Sequence, residues 1–153
     1  MRKTLTLLAA SGLVLGPVTA AHAAPRGCQG PIITSSTVVT DRGEIGVLDS
    51  GDVFTLRFRQ PIGNVDAPSF AIVLEGANGQ GGYLSHPGGS FEYTQTARSV
   101  TITINETEIS GTPNEFSVPM PASITYINGI YSKNDRRQDA QVSIACSKDL
   151  VVS

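Results

Sequence analysis

The chain has 153 residues, of which 40% are hydrophobic and 16% charged, and its formal net charge is −2. This balance disfavours a nucleic-acid partner, which usually leaves a basic patch. The absence of tryptophan and the 6% share of aromatic residues disfavour a broad platform for stacking on sugars or bases. The length suits one domain with a sizeable core.

The first residues have the pattern of an export signal. Arg2 and Lys3 precede the apolar run Leu5–Val18, and Ala21-His22-Ala23 forms a small-x-small cleavage site. A retained anchor helix is the alternative, but the run is short for a bilayer and is interrupted by glycine and proline.

We therefore predict a signal peptide over 1–23 and one domain over 24–153. The mature chain would be secreted, or periplasmic as the alternative, and would have no membrane segment. Its net charge would be −4, since the signal removes two of the eleven basic residues and none of the thirteen acidic ones.

Both cysteines lie near the ends of the predicted mature chain. In an oxidising compartment, Cys28 and Cys146 are expected to form a disulfide. Closing such a long loop would stabilise the fold by about 4–5 kcal/mol in the chain-entropy model. A metal site or a catalytic thiol is the weaker alternative, because neither cysteine has a second cysteine or a histidine at ligand spacing.

Beyond the signal, apolar residues recur at every second position in short runs bounded by turn-forming residues, a pattern typical of half-buried strands. The predicted strands, with a short addition at Glu115–Val118, are Ile32–Val39, Val53–Phe58, Phe70–Leu74, Phe91–Gln95, Val100–Ile104, Ile124–Tyr131 and Gln141–Cys146. The stretch 76–90 has six glycines and predicts a mobile loop or a loose hairpin.

Alternation along these runs also predicts which side chains face inward. The expected common core is Phe54, Leu56, Phe58, Ile72, Leu74, Ile102, Ile104, Val142 and Ile144. Cys146 would share the inward face of the last strand. Seven or eight such strands favour an all-β, two-sheet antiparallel sandwich.

A family resemblance supports this architecture. The segment Ser50–Ile62, with its Gly-Asp turn and Leu-x-Phe-x-x-Pro strand, resembles the opening of bacterial immunoglobulin-like domains, and Ser99–Ile104 and Pro121–Tyr131 resemble later strands of the same family. The resemblance implies a binding, spacer or adhesive module. Periplasmic copper-binding sandwiches share the strand, but their metal needs an N-terminal histidine, and here His22 would leave with the signal.

We find no motif that predicts catalysis. The chain has no Gly-x-Ser-x-Gly elbow, and His86, the single histidine after the signal, lies among glycines, where we expect it to be solvent-exposed. A catalytic pair of carboxylates that converges from separate strands remains an alternative. Acidic side chains that simply lie on the solvated surface explain the acidic residues of the strands without catalysis. We expect no enzyme activity and no cofactor.

Calcium is the more plausible ion, with candidate loops at 49–52 and 134–139. Ordinary turns explain both loops better, because aspartate and asparagine side chains accept hydrogen bonds from nearby backbone. We expect no metal site.

Two loops are candidates for ligand contact. The first presents Tyr83 and His86, and the second presents Tyr131 with the adjacent cations Arg136 and Arg137. A hairpin tip and a solvated turn are the alternatives. These features predict a secreted, monomeric, non-catalytic binding or surface-associated module whose partner is an unknown protein or cell-envelope polymer. An inhibitor of an extracellular hydrolase is the second hypothesis.

Overall fold

A computed structural model describes residues 30–105, 108–109, 112–113, 116–133, 142, 144–147 and 151–152. Nearly all the regular structure in this part is β. In chain order the strands are β1 (Ile33–Thr40), β2 (Val47–Asp49), β3 (Val53–Phe58), β4 (Ala71–Gly76), β5 (Gly81–Ser85), β6 (Phe91–Gln95), β7 (Ser99–Ile104), β8 (Glu108–Ile109), β9 (Thr112–Pro113), β10 (Ser117–Pro119), β11 (Ala122–Asn128) and β12 (Val151–Val152). Two short 3-10 turns cover Ala67–Ser69 and Ile144–Cys146.

The first sheet has the strand order β1-β3-β7-β6, with antiparallel neighbours throughout. Its centre is the pair β3 and β7, in which Phe54 faces Ile102 and Thr55 faces Thr101. The two threonine hydroxyls lie 2.9 Å apart and share a hydrogen bond on the outer face. The strict alternation of apolar and polar residues therefore fixes both the register and the buried face of these strands.

The second sheet has the order β12-β11-β4-β5 and is also antiparallel. Leu74 on the central strand β4 pairs with Ile124 on one side and with Gly82 on the other. A register shift between Ile124 and Tyr126 marks a β-bulge at Thr125. After the bulge, Tyr126 points to the outer face and Ile127 points inward, because the extra residue changes the alternation.

A short ribbon of β2 and β10 adds to the core. Leu48 on β2 pairs with Val118 on β10, and both side chains are fully buried. The strands β8 and β9 form a second two-stranded ribbon.

One hydrophobic core joins the two large sheets, an arrangement compatible with a β-sandwich. Phe54 and Leu56 enter it from the first sheet, and Ile72 and Leu74 enter it from the second. Eight of the nine predicted core residues are buried, and the ninth, Ile144, is half-buried and packs against the others. The all-β prediction and the inward faces are therefore confirmed.

The predicted strand at Gln141–Cys146 is wrong. Ile144–Cys146 forms a 3-10 turn, closed by the Ser147 N–H donating to the Ile144 carbonyl at 2.9 Å. The strand that pairs with β11 is instead the short β12, at Val151–Val152. Two alternating apolar residues, Val142 and Ile144, were too few to distinguish a strand from a turn that packs on the core.

The structure describes only one of the two cysteines of the predicted disulfide. Cys146 is half-buried, and no cysteine in the described part of the chain is free. Cys28 lies outside the described residues, as does the whole predicted signal peptide. The pairing of the two cysteines stays a prediction.

Candidate functional site

His86 lies immediately after β5, at the end of the second sheet. Its N–H donates to the Phe70 carbonyl at 2.9 Å, which continues the pairing of β5 with β4 by one residue. The turn that follows is closed by Gly89 N–H donating to the His86 carbonyl at 2.9 Å. The expected solvent-exposed loop histidine is therefore wrong: His86 is half-buried at the end of an ordered hairpin.

The His86 ring belongs to a group of four aromatic rings between the two sheets. It meets Tyr93 and Phe91 edge to face, with centroids 5.1 and 5.7 Å away. Phe70 meets the same two rings at 5.1 and 4.9 Å. Each such pair contributes about 0.5–1.5 kcal/mol beyond its buried area, so the ring of His86 helps to close this edge of the molecule.

Tyr83 lies on β5 and points away from the core, with 62% of its surface exposed. It pairs with Val73 on β4, and Val73 in turn pairs with Tyr126 on β11. Tyr126 is 45% exposed. The three residues therefore form one row across the outer face of the second sheet, with a tyrosine at each end and a valine between them.

We call the outward residues of β4, β5 and β11 around this row the tyrosine face. The row Asn128–Ala71–Ser85 lies on one side of it and the row Ser123–Glu75–Gly81 on the other. The sequence predictions did not include this face, because its two tyrosines lie 43 positions apart in the sequence. Alternation along β5 predicts that Tyr83 points outward, but the outward direction of Tyr126 depends on the bulge at Thr125.

Tyr131 follows β11 at the same end of the second sheet as His86, because Asn128 and Ser85 both pair with Ala71. It is half-buried, and its carbonyl accepts the Gly63 N–H at 2.9 Å. Arg136 and Arg137 lie outside the described residues. The structure therefore places His86 and Tyr131 at one end of the sheet and leaves the two cations as a prediction.

A second surface, absent from the sequence predictions, is the loop over residues 41–46, which we call the Ile45 loop. Ile45 is 92% exposed at its tip. The Val47 N–H donates to the Glu44 carbonyl at 3.0 Å, and Gly46 takes a positive φ of 86°. Ile45 and Gly46 thus occupy the centre of a tight turn.

Carboxylates hold this loop in place. Asp52 is fully buried and accepts the Arg42 N–H at 2.7 Å and the Asp49 N–H at 2.9 Å. Asp49 accepts the Glu44 N–H at 3.0 Å through Oδ2, while its buried Oδ1 has no partner. The candidate calcium loop at 49–52 thus uses its acids as hydrogen-bond acceptors for backbone, as turns commonly do.

Within the described residues, no three His, Cys, Asp or Glu side chains are grouped so that they could hold a metal ion. No described residue hydrogen-bonds to the imidazole of His86. The described helical turns include none that is long and apolar enough to cross a membrane. The second calcium candidate, 134–139, lies outside the described residues.

Comparison with protein-family models, with curated proteins and with solved structures found no match.

Proposed function

We propose that this chain is an exported, non-catalytic binding module that contacts a protein or polymer outside the cell through its tyrosine face. The observation that carries the proposal is the row Tyr83–Val73–Tyr126, in which two large exposed aromatic side chains lie on the outer face of the second sheet. Tyrosine offers a rigid, amphipathic contact surface at low entropic cost, since it has only two side-chain torsions.

The proposal includes an immunoglobulin-like architecture. The sheet orders β1-β3-β7-β6 and β12-β11-β4-β5 support it, because they correspond to strands A-B-E-D and G-F-C with one added strand beside C. Domains of this architecture expose their sheet faces and end loops to partners. We also propose that the module is a secreted or periplasmic monomer closed by a Cys28–Cys146 bridge.

The position of His86 supports a non-catalytic role. A general base must reach a substrate proton and be oriented for that task. The His86 ring instead packs edge to face on Tyr93 and Phe91, where it fills the edge between two sheets.

Sedimentation with cell-envelope preparations tests the proposal. We expect the mature protein to co-sediment with envelopes, and the double variant Tyr83→Ala/Tyr126→Ala to remain in the supernatant with an unchanged melting temperature. Val39→Ala is the matched control, because Val39 is 62% exposed on the first sheet. Equal sedimentation of the double variant and the wild type would contradict the proposal.

The Ile45 loop favours a second candidate function, inhibition of an extracellular hydrolase. A convex loop that is already ordered loses little entropy when it enters a concave site. The loops that the sequence predicts for ligand contact are those of Tyr83 and Tyr131, whereas the protruding apolar tip held by hydrogen bonds is at Ile45.

A panel of secreted proteases that prefer branched aliphatic residues tests this second function. Inhibition at micromolar concentration that Ile45→Asp abolishes and Val39→Ala leaves intact would support it. Absence of inhibition across the panel would count against it.

A further inference from the structure

The chemistry of the tyrosine face indicates which class of ligand it suits, on the premise that the proposed function is right. By alternation along the strands, its residues are Ser123, Thr125, Tyr126 and Asn128 on β11, Ala71, Val73 and Glu75 on β4, and Gly81, Tyr83 and Ser85 on β5, and Ala71 alone among them is buried. Among these ten described positions, Glu75 is the single residue charged at neutral pH. The remainder offer hydroxyls, an amide and small side chains.

The spacing of the two tyrosines matches an elongated ligand. Tyr83 and Tyr126 lie two strands apart, which corresponds to about 10 Å between their Cα positions. Val73 lies between them with a shorter side chain and is half-buried. The row is therefore a shallow trough with an aromatic wall at each end, and it spans the three strands β5, β4 and β11.

The trough is held by paired strands. β4 is hydrogen-bonded to β5 on one side and β11 on the other, from Ala71 to Glu75. At the bulge, the Thr125 hydroxyl donates to the Val73 carbonyl at 3.4 Å, beneath the centre of the row. A surface built on paired strands is positioned more accurately than one built on loops, so little ordering is needed when a ligand binds.

The charge and shape of the tyrosine face disfavour several other classes of ligand. A nucleic acid or an anionic polymer requires lysine or arginine against its charges, and the outward positions of these three strands provide neither. A small molecule prefers a concave pocket, whereas this face is an open sheet. A protein partner remains compatible with exposed tyrosine and is an outcome of the test below.

We propose that the tyrosine face binds a neutral polysaccharide, whose sugar rings lie against Tyr83 and Tyr126 while neighbouring side-chain hydroxyls bond its hydroxyl groups. The apolar faces of sugar rings suit the flat phenol rings, and uncharged donors and acceptors suit a ligand that is rich in hydroxyls. The single carboxylate, Glu75, lies on the edge row and accepts hydrogen bonds without requiring a cation.

The experiment measures depletion of the full mature protein from solution by insoluble cellulose, chitin and starch, with polygalacturonate gel as an anionic comparison. We expect binding to at least one of the three neutral polymers and none to polygalacturonate. Tyr83→Ala and Tyr126→Ala should each weaken binding about tenfold, the loss typical of a truncated aromatic anchor. Tyr83→Phe should retain most of it.

Two further variants, both on the first sheet, test whether changes outside the tyrosine face affect binding. Val39→Ala changes an exposed apolar residue of the other sheet and should bind like the wild type. Glu92→Gln removes an exposed charge from β6 of the first sheet and should likewise bind like the wild type.

The outcomes distinguish this inference from the proposed function. If the protein binds none of the three neutral polymers, the inference is overturned. The proposed function would still stand if envelope binding depended on Tyr83 and Tyr126, as it would for a protein partner. Polysaccharide binding that ignores both tyrosines would overturn the inference and the site together. If the wild-type protein bound neither the neutral polymers nor cell envelopes, both proposals would be overturned.

Discussion

Asp52 is the buried polar residue of the described core, and its position explains the order of the loop before it. Both carboxylate oxygens are used, one by the Arg42 N–H and one by the Asp49 N–H. Its own carbonyl accepts the Ile104 N–H at 2.9 Å, and Gly51 N–H donates to the Ile104 carbonyl at 2.8 Å. A single residue thus connects the Ile45 loop to β7.

We expect Asp52→Ala to lower the free energy of unfolding by about 1–3 kcal/mol, because it leaves backbone donors without acceptors inside the protein. Asp41→Asn is the control, since Asp41 is exposed and its oxygen lies 3.5 Å from the Gly46 nitrogen. Urea unfolding of both variants measures the difference. Equal losses would show that the buried hydrogen bonds of Asp52 contribute nothing specific.

Gly129 gives a second prediction at the scale of one residue. It has a φ of 83°, and a Cβ added there would lie 2.7 Å from the Phe70 Cα and 3.0 Å from the Asp66 carbonyl oxygen. Gly79 has a similar φ of 79°, yet an added Cβ there meets nothing within 4 Å.

The pair separates backbone conformation from crowding. Gly79→Ala should cost about 1–2 kcal/mol for the left-handed backbone alone. Gly129→Ala should cost about 1–3 kcal/mol more, because the opposing atoms are backbone and cannot rotate away. Chemical denaturation of both variants checks this, and a Gly129 variant no less stable than the Gly79 variant would refute the close approach to Phe70.

At the scale of elements, the hairpin of β4 and β5 shows why the glycine-rich stretch was difficult to interpret. Gly82 faces inward, where an added Cβ would overlap Phe116 and Val118. The strand therefore needs a glycine where a sequence pattern expects an apolar side chain. Leu84 is then the single apolar residue of β5 that indicates its inward face, and one residue does not establish a period of two.

We expect Leu84→Ala to destabilise the protein by about 2–5 kcal/mol, because Leu84 is fully buried between the sheets. Tyr83→Ala, one position away on the outer face, should change stability by less than about 1 kcal/mol. Thermal and chemical unfolding of the two variants provide the comparison. A mild Leu84 variant would mean that this stretch is a loop after all.

Strands with full alternation were predictable from the sequence, and sites formed by separate strands were not. Val53–Phe58 has the bounds that the sequence predicted, because its three alternating apolar residues, with turn residues at both ends, leave little freedom. The tyrosine face needs the pairing of β5, β4 and β11 together with a bulge. Neither feature has a local sequence signal, since register arises from contacts between distant segments.

For the whole molecule, the predicted disulfide concerns how the two sheets are joined. β12 pairs with β11 at Ala122 and Ser123, which places the end of the chain in the second sheet. A bridge from Cys146 to Cys28 would connect this region to the segment that precedes β1 in the first sheet. The two sheets would then be joined covalently as well as through the core.

We expect Cys146→Ser to lower the free energy of unfolding by about 2–5 kcal/mol, the range observed when a small exported domain loses its disulfide. Reduction of the wild type should give a similar loss, and reduction of the variant should give none. Mass spectrometry of the native protein should find both thiols oxidised. Free thiols in the native protein would exclude the bridge.

The most direct test of the account is chemical-shift mapping by NMR with a soluble fragment of whichever polymer the protein sediments with. The account predicts that the shifted amides lie on β4, β5 and β11, centred on Val73, with the Ile45 loop unaffected. Shifts confined to the Ile45 loop, or spread evenly over the surface, would contradict the claim that the tyrosine face is the binding surface.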